Sequence, residues 1–85
     1  MEFKNLGFVD HPLIAGAIMA QVISNDGKRI SIICGDGLYS SSRAGNKAEC
    51  RSVEDALTFE VFVDGDKDVR GWQTKEDINL LLNNI

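Results

Sequence analysis

Few residues in this chain have types that could do covalent or metal chemistry. His11 is the single histidine, and Cys34 and Cys50 are the two cysteines. A nucleophile and base pair would therefore have to join His11 to one of two distant thiols, and the donors are too few for a four-ligand zinc site. Asp10 does not by itself orient the neighbouring imidazole, so His11 reads as a satisfied or exposed histidine before Pro12 and both cysteines as small apolar core residues. Asp64, Asp66 and Asp68 have the one-three-five spacing that opens a calcium loop. The positions of that loop's sharp-turn glycine and bidentate glutamate hold Val69 and Lys75 instead, which leaves a solvated acidic turn and no metal. Gly35-Asp36-Gly37 lacks the third glycine and the following helix of a nucleotide loop, and Asp36 repels a phosphate, so it reads as a structural turn. No cofactor is implied, and with one histidine, no nucleophile motif and little room for a deep pocket, the expectation is not an enzyme.

Binding is the better class, and three groups of residues could carry it. The stretch Ser40-Ser41-Ser42-Arg43-Ala44-Gly45-Asn46-Lys47 combines hydroxyls with cations. In it Tyr39, Ser40, Ser41, Arg43 and Lys47 could hold a phosphorylated metabolite or nucleotide; the plainer reading is an exposed, flexible loop joining two strands. Trp72 and Tyr39 are candidate interface anchors, although Trp72 also stands where it could pack on the first turns of a following helix. The third group is acidic. Residues 1–53 carry six basic and five acidic side chains, whereas residues 54–85 carry three basic and eight acidic ones, within a total of −4. That balance disfavours direct nucleic-acid binding and suits a basic partner surface.

The elements that must position these groups are legible in outline. The chain has 85 residues, 44% hydrophobic and 26% charged, which is one globular domain without repeats or linkers. Ala17 to Ser24 and Arg29 to Cys34 are rich in isoleucine and valine around Asn25-Asp26-Gly27-Lys28, a hairpin signature. A rival reading makes residues 11–24 a helix capped by Asp10 and ending near Gly27. Leu57, Phe59, Val61 and Val63 alternate with Thr58, Glu60 and Phe62, as a half-buried strand does, and Val69 to Gln73 reads as a short returning strand after the turn Asp64-Gly65-Asp66. Thr74 and Asp77 form a capping-box pattern ahead of Ile78, Leu81, Leu82 and Ile85, which share one helical face. Ser52-Val53-Glu54-Asp55 supports a single helical turn. The expected fold is α+β: an antiparallel sheet of about four to five strands with one C-terminal helix packed on it. No segment approaches the ~20 apolar residues of a membrane helix, and the free thiols with no leader pattern suit the cytoplasm. A domain this small buries a modest fraction of its surface, so a homodimer is a natural route to extra stability.

The stretch Phe59-Glu60-Val61-Phe62-Val63, followed by Val69-Arg70-Gly71-Trp72-Gln73-Thr74-Lys75-Glu76-Asp77, resembles the end of short phage-type proteins. As a compact acidic chain, the protein resembles the small inhibitors that bacteriophages and prophages encode against host proteins, anti-CRISPR proteins and other anti-defence factors among them. The resemblance transfers no functional residue. It implies action in the host cytoplasm on a host protein, one whose basic surface normally receives nucleic acid. Charge then nominates the contact residues: an acidic face of Glu54, Asp55, Glu60, Asp64, Asp66 and Asp68. Two other readings stand beside it, the ligand-binding sponge or sensor built on the 39–47 stretch and an oligomeric module built by the apolar strands.

Overall fold

The computed structural model describes residues 1–84. The two isoleucine- and valine-rich runs pair around Asn25-Asp26-Gly27-Lys28 as expected, in register from Ala17 against Gly35 to Ile23 against Arg29. Gly27 takes a φ of +86°, which a turn of this tightness requires. The Ser24 hydroxyl donates to Asp26, and that bond first, then Lys28, holds the Asp26 carboxyl below its ordinary range. The helical alternative for residues 11–24 does not form. His11 Nδ1 accepts the backbone N–H groups of Leu13 and Ile14 at 3.1 and 3.2 Å, closing a turn. The β-branched residues that follow then enter the sheet, where their stiff side chains pack well.

Among the described residues there are seven strands, β1 (Val9–Asp10), β2 (Ala17–Ile23), β3 (Arg29–Gly35), β4 (Ser41–Ser42), β5 (Gly45–Asn46), β6 (Ala56–Val63) and β7 (Arg70–Gln73), and one helix, α1 (Lys75–Asn83). Single 3-10 turns form at Phe3–Asn5 and at Val53–Asp55, the latter where one helical turn was expected. All pairings are antiparallel, in the order β1-β2-β3-β6-β4-β5, with β7 also on β6. The fold is thus α+β, with a sheet wider than expected because β1, β4 and β5 are two-residue strands, too short to show a hydrophobic period.

One face of the sheet carries the core. Ile18, Ile30, Ile32, Cys34, Phe59, Val61 and Val63 are buried on it beneath Ile78 and Leu82 of α1, and each large apolar side chain fully buried there contributes roughly 1.5–3 kcal/mol. The capping box starts α1 as the sequence indicates: Thr74 Oγ1 accepts the Asp77 N–H at 3.1 Å and Asp77 Oδ2 accepts the Thr74 N–H at 3.0 Å. The N-terminal segment completes this layer, with the rings of Phe3 and Phe8 at 5.3 and 5.5 Å from Phe59. Leu57 departs from the expected face and is 53% exposed. Ser41 pairs with Thr58 but Ser42 with Ala56, so Leu57 is the extra residue of a bulge and Ala56 takes its place inside.

Among the described residues no helix packs on the other face, where Tyr39 of the 36–47 segment meets Glu60. The register lays Val9, Met19, Ile33 and Glu60 across it in one row and Gln21, Ser31 and Phe62 in the next.

Gly35 fixes how closely the hairpin packs, because a Cβ there would sit 2.4 Å from Ala17 Cβ and 2.7 Å from the Gly16 carbonyl. Gly37 has a φ of +77° with nothing within 4 Å. Gly35→Ala is therefore expected to lose roughly 3 kcal/mol or more in urea unfolding, and Gly37→Ala only about 1–2 kcal/mol. Equal losses would contradict this packing.

Candidate functional site

The 36–47 stretch is a built structure, not the flexible loop the polar composition suggested. Leu38 N–H donates to the Gly35 carbonyl, Lys47 N–H to Ser40 and Gly37 N–H to Lys47, which winds the chain into the β4–β5 hairpin. The serines hold it from inside. Ser40 is fully buried, its hydroxyl accepting the Gly35 N–H at 3.1 Å. Ser41 bonds Thr58 at 2.6 Å, and Ser42 donates to the Glu49 carbonyl at 2.7 Å. Ser40 and Ser41 are thereby committed to the fold. Arg43 lies in a separate recess of about 320 Å³ that also contains Glu49, Arg51 and Asp55, where an anion meets carboxylates as well as cations. The five proposed ligand-loop residues do not converge on one point.

Two of them instead join Trp72. The rings of Tyr39 and Trp72 lie 5.3 Å apart at 36°, and the Lys47 ammonium sits 4.8 Å from the Tyr39 ring centre. Trp72 donates its backbone N–H to the Tyr39 carbonyl at 2.8 Å and its indole N–H to Asn46 Oδ1 at 2.7 Å. The indole therefore packs on the 36–47 segment, not on the first turn of α1. Tyr39 in turn donates its N–H to Glu60 Oε1 at 3.0 Å, so the pair is tied to the end of the Val9-Met19-Ile33-Glu60 row on the uncovered face. Tyr39 and Trp72 are 44% and 46% exposed.

The backbone accepts strain to make this arrangement. Among the described residues, Lys47 (φ 58°) and Trp72 (φ 50°) are the only non-glycine residues with positive φ. For side chains of this kind the left-handed region costs roughly 1–2 kcal/mol each. The cause at Trp72 is a second bulge. Phe59 pairs with Gln73 and Val61 with Arg70, so β7 carries one residue more than β6 over the same span, and Trp72 turns out of the ladder. Gly71 permits the close approach, since a Cβ there would lie 3.0 Å from Tyr39 Cβ.

The acidic residues do not form one face. Glu54 and Asp55 precede β6 while Asp64, Asp66 and Asp68 follow it, which separates the groups by about 24 Å of extended strand; Glu60 stands between them. Several are engaged within the chain: Asp55 accepts the Ser52 hydroxyl at 3.2 Å, Asp64 the Arg29 N–H at 3.3 Å, and Asp66 pairs with Arg70 at 3.0 Å.

His11 and Cys50 line one recess of about 450 Å³ with Asp10 and Arg51, yet neither activates the other. His11 Nδ1 is occupied by backbone N–H groups, and the Cys50 thiol donates to the Ser52 carbonyl at 3.2 Å. Both cysteines are buried and free. Burial first, and then Cys50 beside it, pushes the Cys34 thiol up from 9.0 to about 12.

No family model, curated protein or solved structure matches this chain.

With its folded value raised, Cys34 contributes stability that is fully present below the ordinary thiol value of 9.0 and is lost as pH rises toward about 12. Chemical unfolding is expected to show a free energy that declines across that window, and alkylation at pH 8 should label neither thiol in the folded protein and both in denaturant. Rapid labelling of the native chain would refute the assignment.

Proposed function

We propose that this chain is a non-enzymatic binding protein that engages a partner protein through the uncovered face of its sheet, with Tyr39 and Trp72 as the anchors. The observation that carries this reading is the aromatic pair itself. Two half-exposed rings are fixed against each other by hydrogen bonds and strained backbone, at the end of a row that is apolar except for Glu60. Rings held in advance lose little conformational freedom on binding, and tryptophan and tyrosine dominate the energetics of protein interfaces.

Glu60 and the acidic clusters at the two ends of β6 suit a partner whose surface is basic, the kind that ordinarily receives nucleic acid. Occupying such a surface is also how a phage- or prophage-encoded inhibitor of the class that residues 59–77 resemble would act on a host protein. In this reading the acidic groups speed encounter and set its salt dependence, while the aromatic pair supplies the short-range energy. The 39–47 stretch serves as the mount for Tyr39 and Lys47 and not as a phosphate-binding loop.

The test is capture from a bacterial lysate with four versions of the tagged chain, quantified by mass spectrometry. The wild type should retain a stoichiometric protein that both Tyr39→Ala and Trp72→Ala lose by at least tenfold and that Arg43→Ala keeps. Recovery with the aromatic variants equal to wild type, or a phosphorylated small molecule lost specifically in Arg43→Ala, would overturn the proposal.

A further inference from the structure

The outer edge of β2 is half covered. Ser24 N–H donates to the Lys28 carbonyl at 2.8 Å, which makes residues 24 and 28 a hydrogen-bonded pair. By the antiparallel alternation, Val22 and Ala20 also bond toward β3, whereas Ala17, Met19, Gln21 and Ile23 direct their N–H and C=O groups away from it. β1 meets the first of these: His11 N–H donates to the Ala17 carbonyl at 2.9 Å, and Val9 pairs with Met19. There β1 ends. Gln21 and Ile23 face outward beyond it, and among the described residues no backbone group bonds them on that side.

Natural sheets blunt such edges with lysine, proline or a bulge, and Ala20-Gln21-Val22-Ile23 has none of these. Ile23 is 64% exposed. On the helix side the edge is flanked by a recess of about 140 Å³ lined by Met1, Val22, Ile23, Ser24, Asn25 and Leu82. In a chain of net charge −4, this uncharged stretch is where two copies can approach with least mutual repulsion.

We infer that the β2 edge pairs with the same edge of a second copy across a two-fold axis at Val22. The open stretch is bounded by β1 at one end and by the hairpin turn at the other, so this register is the one that matches it to itself. Gln21 then exchanges both backbone bonds with Ile23 of the other copy and Ile23 with its Gln21, which satisfies every outward group on the stretch. Such an isologous contact closes on itself and does not propagate. The two sheets become one, with the Tyr39–Trp72 pairs at its far ends, separated by roughly seven strand spacings or about 34 Å. The dimer would present two copies of the binding face to a partner with repeated sites.

Sedimentation equilibrium from micromolar to near-millimolar concentration tests this directly. The mass of the wild type should rise from one chain to two, and amide exchange at Gln21 and Ile23 should slow in concentrated samples only, while Ala20 and Val22 stay protected throughout. Ile23→Lys should remain monomeric with an unchanged melting temperature in dilute solution. Gln21→Pro, which removes an outward N–H and leaves the bonds to β3, should weaken association at least tenfold. A wild type that stays monomeric across the range, or a dimer whose mass and Gln21 exchange are the same in Ile23→Lys, would overturn the inference. Either result leaves the aromatic-face reading intact, because that rests on residues at the opposite side of the sheet.

Discussion

The rest of this fold depends on β6, which pairs with three other strands. Its inner edge is occupied by β3 in unbroken register from Ile30 against Val63 to Ile33 against Glu60. It pairs further with β4 at Ala56 and Thr58 and, on the edge away from β3, with β7 from Phe59 to Val61. Each junction needs a residue out of step. Leu57 is expelled from β6 at the first, and at the second β7 carries the surplus, which turns Trp72 outward with a left-handed backbone. Tyr39 bonds both Glu60 and the Trp72 backbone, so the aromatic pair is built into the sheet and is not an ornament on a loop.

The two faces of the sheet divide the work. The inner face is sealed by α1 and by Phe3 and Phe8 stacked on Phe59, and it contains the two thiols in a setting that suppresses their chemistry. Among the described residues no helix covers the outer face, yet its central row is apolar from Val9 through Ile33. Antiparallel sheets commonly turn one polar face to water. A half-apolar open face ending in a braced tyrosine–tryptophan pair departs from that pattern, and the proposed binding role rests on that departure.

Elements with strong local chemistry were legible in the sequence. Asn25-Asp26-Gly27-Lys28 between β-branched runs is a hairpin whatever surrounds it, and the Thr74–Asp77 box starts a helix by satisfying its own first N–H groups. The three shortest strands left no trace, because two residues cannot display a period and their pairing is set by distant partners. Ser40 and Ser41 misled for a related reason: a hydroxyl committed to a bond within the fold is the same residue type as one that bonds water. The phase of Leu57 failed because alternation assumes an unbroken ladder. Tyr39, Lys47 and Trp72 each drew attention singly, but their meeting depends on a bulge in β7 that has no sequence signal beyond Gly71. The acidic residues shared a sign without sharing a place, since a strand of eight residues holds its two ends apart.

The central claim is that strand pairing forces residue 72 into the left-handed backbone that presents its indole on the open face. The unfolding free energies of Trp72→Gly and Trp72→Ala, compared in urea, test it most directly, because both variants lose the ring and differ only in what the backbone tolerates. In an ordinary strand glycine is less stable than alanine by about 0.5–1 kcal/mol. The account predicts the reverse order here, with Trp72→Gly the more stable by about 1 kcal/mol. Alanine equal to or better than glycine at this position would mean that the bulge does not hold residue 72 as described, and the proposed binding face built on it would fall with that result.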